Sequence, residues 1–481
     1  MTDLASHRSR ALQADADLAE DEVAMSGAMP EPPPFARSPG IGYQQLLDTD
    51  THEVPDVLRW DQPGIFDDVC EVPVERYTSR AFHELEKERL WKRVWQMACR
   101  EEEIAVAGDT YVYEICDQSI LVVRGADGEI RAFPNACLHR GRLLRHESGP
   151  ADKELRCPFH GFCWNLDGSL KSVTSAWDFP HLDPADLDLP QLRVGTWGGF
   201  VFVNPDPDCE PLEDFLGDLD RHFEKWPLED RYVQAHVAKV IDCNWKVAQE
   251  AFSEALHVIT THPQRVAGMG DTNSQYDVWP NFDRGISANG IPSPHLAWSP
   301  TEQEMFDSMV DARMDEPPLL EVPEGMTARE LSGMLARESL RPVIGDEKAD
   351  LMSDAESLDS IYYTVFPNFH PWGAYQRIAY RFRPYRDQHE VCLMDVYFLA
   401  PFAGERPAPA ATQWLAADES WTAATILGSS ARVFDQDSFN MPRVQRGLHT
   451  TRRTTVVFSR YQESKIRHFH HLLTQWVDEV P

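Results

Sequence analysis

The chain has 481 residues, and its 78 acidic against 45 basic side chains give a formal charge of −33, which argues against nucleic acid or an anionic membrane surface as partner. With 42% hydrophobic and 10% aromatic residues it has the make-up of a globular protein of two to three domains. No apolar run approaches the roughly eighteen residues needed to cross a bilayer, and the N-terminus lacks the basic start and apolar core of a signal peptide, so a cytoplasmic location is expected.

Residues 1–40 read as a disordered tail. Asp15, Asp17, Glu20, Asp21 and Glu22 form an acidic cluster, and Pro30, Pro32, Pro33 and Pro34 follow, a stretch that buries too little to order itself. Residues 41–103 form an N-terminal segment expected to pack on the larger domain. Within it Phe82, Leu85, Leu90, Trp91 and Val94 recur at helical spacing, predicting an amphipathic helix over about 77–95. The period then becomes two. Tyr111 to Val123 and Ile130 to Phe133 read as strands joined by the turn Gly125-Ala126-Asp127-Gly128, and Asp167-Gly168 marks another hairpin, giving an antiparallel β domain over 104–190.

That domain carries Cys137-Leu138-His139 and, after seventeen residues, Cys157-Pro158-Phe159-His160. Two thiolates and two imidazoles in paired steps are the ligand set of a Rieske [2Fe–2S] centre, with cysteines on one iron and histidines on the other. A structural zinc site uses the same ligand types, but zinc fingers usually segregate cysteines from histidines along the chain, whereas each pair here holds one of each. The other seven cysteines, Cys70, Cys99, Cys116, Cys163, Cys209, Cys243 and Cys392, read as reduced packing residues.

Residues 191–481 are mixed, with strand-like stretches at 199–203, 362–366, 376–382 and 391–399. Ile378, Tyr380 and Phe382 alternate with Arg377, Ala379 and Arg381 as in a half-buried antiparallel strand. The fold class is therefore α+β: an antiparallel β domain followed by a mixed α/β domain on a central antiparallel sheet. In this second domain Glu250, Glu254 and His257 fall at i, i+4 and i+7, which a helix stacks along one face. His262 breaks that register ahead of Pro263, so a helix that ends or loosens after His257 can bring both imidazoles to one metal. Two histidines and a carboxylate make the facial set of non-haem Fe(II) oxygenases, although spacing alone does not choose the carboxylate.

Residues 299–347 read as an insertion of helices. Ser299-Pro300-Thr301-Glu302 and Thr327-Ala328-Arg329-Glu330 are capping boxes. Met305, Phe306, Met309, Val310 and Met314 form an apolar stripe, read as core or as a lid over a bulky substrate. His468, His470 and His471 read as the surface of a C-terminal helix.

Asn135-Ala136-Cys137-Leu138-His139-Arg140-Gly141 with Cys157-Pro158-Phe159-His160-Gly161-Phe162-Cys163-Trp164-Asn165-Leu166-Asp167-Gly168 closely resemble the cluster segment of ring-hydroxylating oxygenase α subunits, and 244–263 resembles the family's iron-binding helix. Phe434-Asp435-Gln436-Asp437-Ser438-Phe439-Asn440-Met441 resembles its late motif, which implies Asp437 rather than Asp435 as the third iron ligand. The likeness extends over about 75–475 and implies a helix-grip catalytic domain. It also implies a Rieske cluster on Cys137, His139, Cys157 and His160, mononuclear Fe(II) on His257, His262 and Asp437, and a bridging carboxylate at Glu254 that links the cluster of one subunit to the iron of the next.

Two departures stand out: Glu254 lies where many members carry aspartate, and Ala251 where asparagine often follows the earlier glutamate. The resemblance implies a terminal oxygenase fed from NAD(P)H by a flavin reductase, with or without a ferredoxin, and built as a homotrimer with or without a β subunit. Its O₂-dependent hydroxylation is expected on an apolar aromatic or polycyclic substrate, with cis-dihydroxylation ahead of monooxygenation or demethylation of a steroid or quaternary amine. The reading from another class is an electron carrier with an inactive catalytic domain.

Overall fold

A computed structural model describes residues 37–478 except 39, 65–68, 151–152 and 311–318, so nearly all of the expected tail, and Met314, lie outside the described residues. Among the described residues no helix is long and apolar enough to cross a membrane.

The period-two region folds into a four-stranded antiparallel sheet in the order Ile130–Pro134, Gln118–Arg124, Asp109–Ile115 and Gly149–Pro150. The stretch expected as one strand from Tyr111 to Val123 is a hairpin instead. It reverses at Cys116-Asp117, where Cys116 takes the left-handed conformation at φ 52°. The turn at 125–128 connects strands as expected, closed by a Gly128 N–H to Gly125 carbonyl bond of 3.0 Å. A second sheet of Leu155–Arg156, Cys163–Trp164 and Leu170–Ser172 carries the Asp167-Gly168 turn, in which Gly168 sits at φ 88°.

Alternation along these strands gives the first sheet two differently covered faces. Tyr113, Ile115, Ile120, Val122 and Ala132 join the large core shared with the second domain. Leu121, Val123 and Phe133 point the other way, into a separate core with Cys137, Cys157, Phe162 and Trp164.

The second domain is built on an eight-stranded sheet in the order Met269–Val278, Phe282–Asn289, Ser360–Val365, Phe369–Pro371, Ile378–Tyr385, Gln388–Pro401, Arg231–Ile241 and Thr412–Leu415. Every pairing is antiparallel except the last, which is parallel. The expected half-buried strand is buried on both sides: Arg381 is fully enclosed, ion-paired to Asp395 at 2.9 Å and donating to the carbonyls of Met97 and Ala98. Those carbonyls belong to Gln96–Arg100, which pairs with Phe200–Asn204 and through it with Arg193–Trp197, joining residues on both sides of positions 103 and 190 in one small sheet.

The helix expected over 77–95 is broken into Glu75–Thr78, Arg80–Glu86 and a π-helical Lys87–Trp91. Ser79 restarts it by accepting the Phe82 N–H at 3.3 Å. In the insertion, Thr327 caps Ala328–Ile344 as expected, but the first helix, Glu302–Met309, is capped by Thr301 with Glu304 and not by Ser299. Thr301-Glu302-Gln303-Glu304 is itself a capping box, and the sequence holds the two overlapping. Met305 and Phe306 are buried and Val310 is exposed. The C-terminal helix Ser464–Asp478 does not carry its histidines on the surface: His468 and His470 are buried, the first 3.2 Å from Asp283 and the second 2.9 Å from Glu250. Of the cysteines expected in packing roles, Cys70 is exposed and Cys209 half-buried.

Candidate metal centres and substrate cavity

The Cys-X-His step at 137–139 and the Cys-X-X-His step at 157–160 fold into matching loops. In each, the cysteine N–H donates to a carbonyl five residues on, Arg142 at 2.9 Å and Phe162 at 2.8 Å, while its carbonyl accepts from the glycine four residues on, Gly141 at 2.8 Å and Gly161 at 3.0 Å. Both glycines adopt positive φ, 72° and 81°. The loops bring Cys137 and Cys157 together as buried free thiols, and place the His139 and His160 ring centroids 4.7 Å apart.

Burial pushes the Cys137 thiol up, opposed by the amide N–H groups of His139 and Arg140 aimed at its sulfur. Burial and then the nearby His160 and Arg140 hold His139 below its ordinary pKa, in the neutral form that ligates metal. His139 Nδ1 is buried without a hydrogen-bond partner, an orphaned donor atom that a cluster iron would satisfy. Paired thiols, paired imidazoles and that orphan fit a Rieske cluster.

The second centre does not form on one helix face. The helix runs only from Trp245 to Glu250. Residues 251–257 are irregular, and a single turn, Val258–Thr261, precedes His262 and Pro263. Glu250 is thereby separated from Glu254 and goes to a buried cluster with Tyr77 and His470.

The unwound segment, the turn and helix Ser430–Thr450 bring His257, His262 and Asp437 together, with ligand atoms all within 4.8 Å. The Nε2 atoms of the histidines are 3.2 Å apart, and Asp437 Oδ1 lies 3.0 Å from His262 Nε2 and 3.6 Å from His257 Nε2. Three ligands on one face of an octahedron with bonds of about 2.1 Å stand about 3.0 Å from one another, so the set fits a facially bound metal. Asp435 points elsewhere, accepting from the Trp421 N–H at 2.9 Å and from the Ser420 hydroxyl.

Each imidazole is held from behind. Glu254 Oε1 accepts from His257 Nδ1 at 2.6 Å and its Oε2 from the His257 backbone N–H at 3.0 Å. Burial opposes charge on His257, but Glu254 and then Asp437 outweigh it and push its pKa up to about 9, so a metal entering between the rings displaces a proton. Behind His262 stands Gln436, its Oε1 2.9 Å from Nδ1. Sequence reasoning did not single out Gln436, although it immediately precedes Asp437.

These three side chains open onto a cavity of about 340 Å³. Phe252, Tyr362, Trp372, Tyr380 and Phe434 give it a nearly continuous aromatic wall, with successive ring centroids 5.8 to 6.2 Å apart from Phe434 through Tyr380 and Trp372 to Tyr362, and Phe252 4.8 Å from Tyr380. Met309 of the inserted helix also lines it, as do Ser287, Asn289 and Gln376.

The model for the ring hydroxylating alpha subunit (catalytic domain) matches residues 218–479, and that for the Rieske [2Fe-2S] domain matches 94–182. The chain belongs to the ring-hydroxylating oxygenase α-subunit family. Its cofactors are therefore a Rieske cluster and mononuclear iron.

Among relatives, the oxygenase subunit of carnitine monooxygenase from Escherichia coli is 32% identical over 194 residues, 40% of this chain and 52% of that one. The large subunit of anthranilate 1,2-dioxygenase from Acinetobacter baylyi is 34% identical over 203 residues, 41% and 43% of the two chains. The chain thus spans about half the length of the curated relatives it matches.

Of solved structures, a quaternary ammonium Rieske monooxygenase in complex with L-carnitine matches 84% of this chain and 95% of its own, with TM-score 0.60 and 21% identity. Naphthalene 1,2-dioxygenase from a Rhodococcus species bound to indole matches 85% and 95%, with TM-score 0.57 and 21% identity. At these identities the likeness shows the fold, an α+β chain with an antiparallel Rieske domain and a catalytic domain.

Proposed function

We propose that this oxygenase α subunit hydroxylates a flat, apolar ring compound, aromatic or polycyclic, with cis-dihydroxylation as the favoured outcome. The carrying observation is the facial set His257, His262 and Asp437 opening onto a cavity of about 340 Å³ with an aromatic wall. In this reading Cys137, His139, Cys157 and His160 hold the cluster. Bound together, cluster and iron supply single electrons and O₂ activation. Glu254 fixes the His257 ring and links it to the cluster of a neighbouring subunit in a trimer, while Phe252, Tyr380 and Phe434 hold a ring face against the metal by stacking. The intact ligand set counts against an electron carrier with an inactive catalytic domain.

A second reading, monooxygenation or demethylation of a quaternary amine, draws on the same wall. Five aromatic rings beside the carboxylates of Glu254 and Asp437 suit an alkylammonium group, and the carnitine monooxygenase relative supports the same reading.

Anaerobically purified protein should hold about three irons and two acid-labile sulfides per chain. A single turnover of chemically reduced protein with ¹⁸O₂ and a panel of aromatic, polycyclic, steroid and quaternary ammonium compounds separates the readings. Two labelled oxygens in a ring diol support the first, and one labelled oxygen or a released aldehyde from an amine supports the second. Iron-loaded protein that yields no product from any compound while its cluster still turns over would establish the electron carrier.

A further inference from the structure

Two imidazoles meet at the mononuclear site, and they are held by different chemistry. His257 Nδ1 faces the Glu254 carboxylate, whereas His262 Nδ1 faces an amide, Gln436 Oε1 at 2.9 Å. Gln436 is not free to turn. Its Oε1 also accepts from Gln264 Nε2 at 2.9 Å, and its Nε2 donates back to Gln264 Oε1 at 3.2 Å, so the two glutamine amides form a reciprocal pair. Gln264 lies two residues after His262, and its own carbonyl accepts from the Ser308 hydroxyl at 2.8 Å on the inserted helix Glu302–Met309. Gln436 is buried, one residue before Asp437 on helix Ser430–Thr450.

We infer that Gln436, clamped by Gln264, is a positioning residue that fixes the tautomer and ring plane of His262. An acceptor at Nδ1 obliges that nitrogen to carry the proton, leaving the Nε2 lone pair aimed at the focus shared with His257 and Asp437. Helix Ser430–Thr450 thereby supplies one ligand directly through Asp437 and orients a second through the preceding residue. The two imidazoles also differ in the partner behind them, a charged carboxylate at His257 and a neutral amide at His262.

The inference rests on His257, His262 and Asp437 as the metal set, and metal binding to the full-length protein, with its cluster in place, tests the two separately. The probe is Co(II), titrated into protein stripped of mononuclear iron and followed by its visible ligand-field bands, with the cluster's own spectrum as the measure of folding. Gln436→Leu, similar in volume but without an acceptor, should weaken Co(II) binding by about 10- to 100-fold and alter the bands. Gln436→Glu, which restores an acceptor, should recover binding.

Wild-type affinity and an unchanged spectrum in Gln436→Leu would overturn the positioning role. Failure of the wild-type protein to bind Co(II) at this site would instead overturn the ligand assignment beneath it. Should Gln436→Leu lose its cluster, Gln264→Leu decides in its place, because it releases the clamp without touching the His262 contact: a several-fold weakening supports the inference, and wild-type binding refutes it.

Discussion

At the scale of single residues, the two nitrogens of His257 separate the roles of the two carboxylates around it. Glu254 occupies the Nδ1 side at 2.6 Å, and Asp437 the Nε2 side at 3.6 Å. A ring cannot present both nitrogens to one metal, so a metal held by His257 Nε2 lies on the side of Asp437, and in the proposed site Glu254 is a support and not a ligand. Glu254→Gln should accordingly leave both metal centres occupied. It keeps one oxygen for Nδ1, but it replaces the oxygen that accepts the His257 backbone N–H with an NH₂ group that repels it, and it removes the charge that holds the imidazole. Stopped-flow oxidation of the pre-reduced cluster by O₂ with substrate present should slow. An unchanged rate refutes the bridging role, and loss of mononuclear iron makes Glu254 a ligand. Glu254→Asp should be milder than the amide if charge dominates, and equally damaging if the longer reach spans a wider gap between subunits.

At the scale of elements, the end of helix Trp245–Glu250 sends Glu250 away from the metal and into a buried cluster. Tyr77 OH donates to its Oε1 at 2.9 Å, and His470 Nε2 lies 2.9 Å from the same oxygen. Burial pushes Glu250 up to about 8 from an ordinary 4.5, against the pull of Tyr77 and Lys246. Between those values the folded chain holds a proton that the unfolded chain has released, so stability falls as pH rises through the window and the loss is complete above about 8.

His470 acts in the opposite sense. Burial keeps it neutral well below 6.5, so its contribution is lost as pH falls beneath that value. From 6.5 to 8, then, Glu250 is the member of this cluster that titrates. Glu250→Gln should gain on the wild type across that interval, read as the difference in urea midpoint between them. A difference that stays constant from pH 6.5 to 8 would refute the buried proton.

This element also marks the limit of what the sequence made legible. The spacings of Cys137, His139, Cys157 and His160 are local, and the loops close as they imply. The i, i+4, i+7 pattern at Glu250, Glu254 and His257 is equally local, yet the chain does not follow it, because Glu254 bonds the backbone N–H three residues on and Glu250 is drawn to Tyr77 and His470, some 170 and 220 positions away. Gln436 and the aromatic wall were out of reach for the same reason: their partners come from distant strands and helices, and no periodicity encodes them.

At the scale of the whole molecule, the strand alternation that builds the first sheet sets where its cluster loops face. Ile120 and Val122 point into the catalytic core, and Leu121 and Val123 into the separate core under Cys137 and Cys157, so the cluster loops lie on the side of the sheet turned away from their own catalytic domain. Apolar side chains stand open on them and beside them, Leu138 38% and Phe159 56% exposed on the loops and Trp177 81% exposed in the turn Ala176–Asp178. His139 and His160, half-buried in these loops, stand on that far side, which fits the proposed transfer to a neighbour's iron site in a ring of chains.

Subunit complementation tests this. Cys157→Ala chains should lack the cluster and His262→Ala chains the mononuclear iron, and neither should be active alone. Co-expressed and assembled at random in equal amounts, about one interface in four joins an intact cluster to an intact iron site, so about a quarter of wild-type product per chain is expected. Mixed oligomers with no activity, isolated with two different affinity tags so that both chains are known to be present, would place transfer within one chain and set aside the ring.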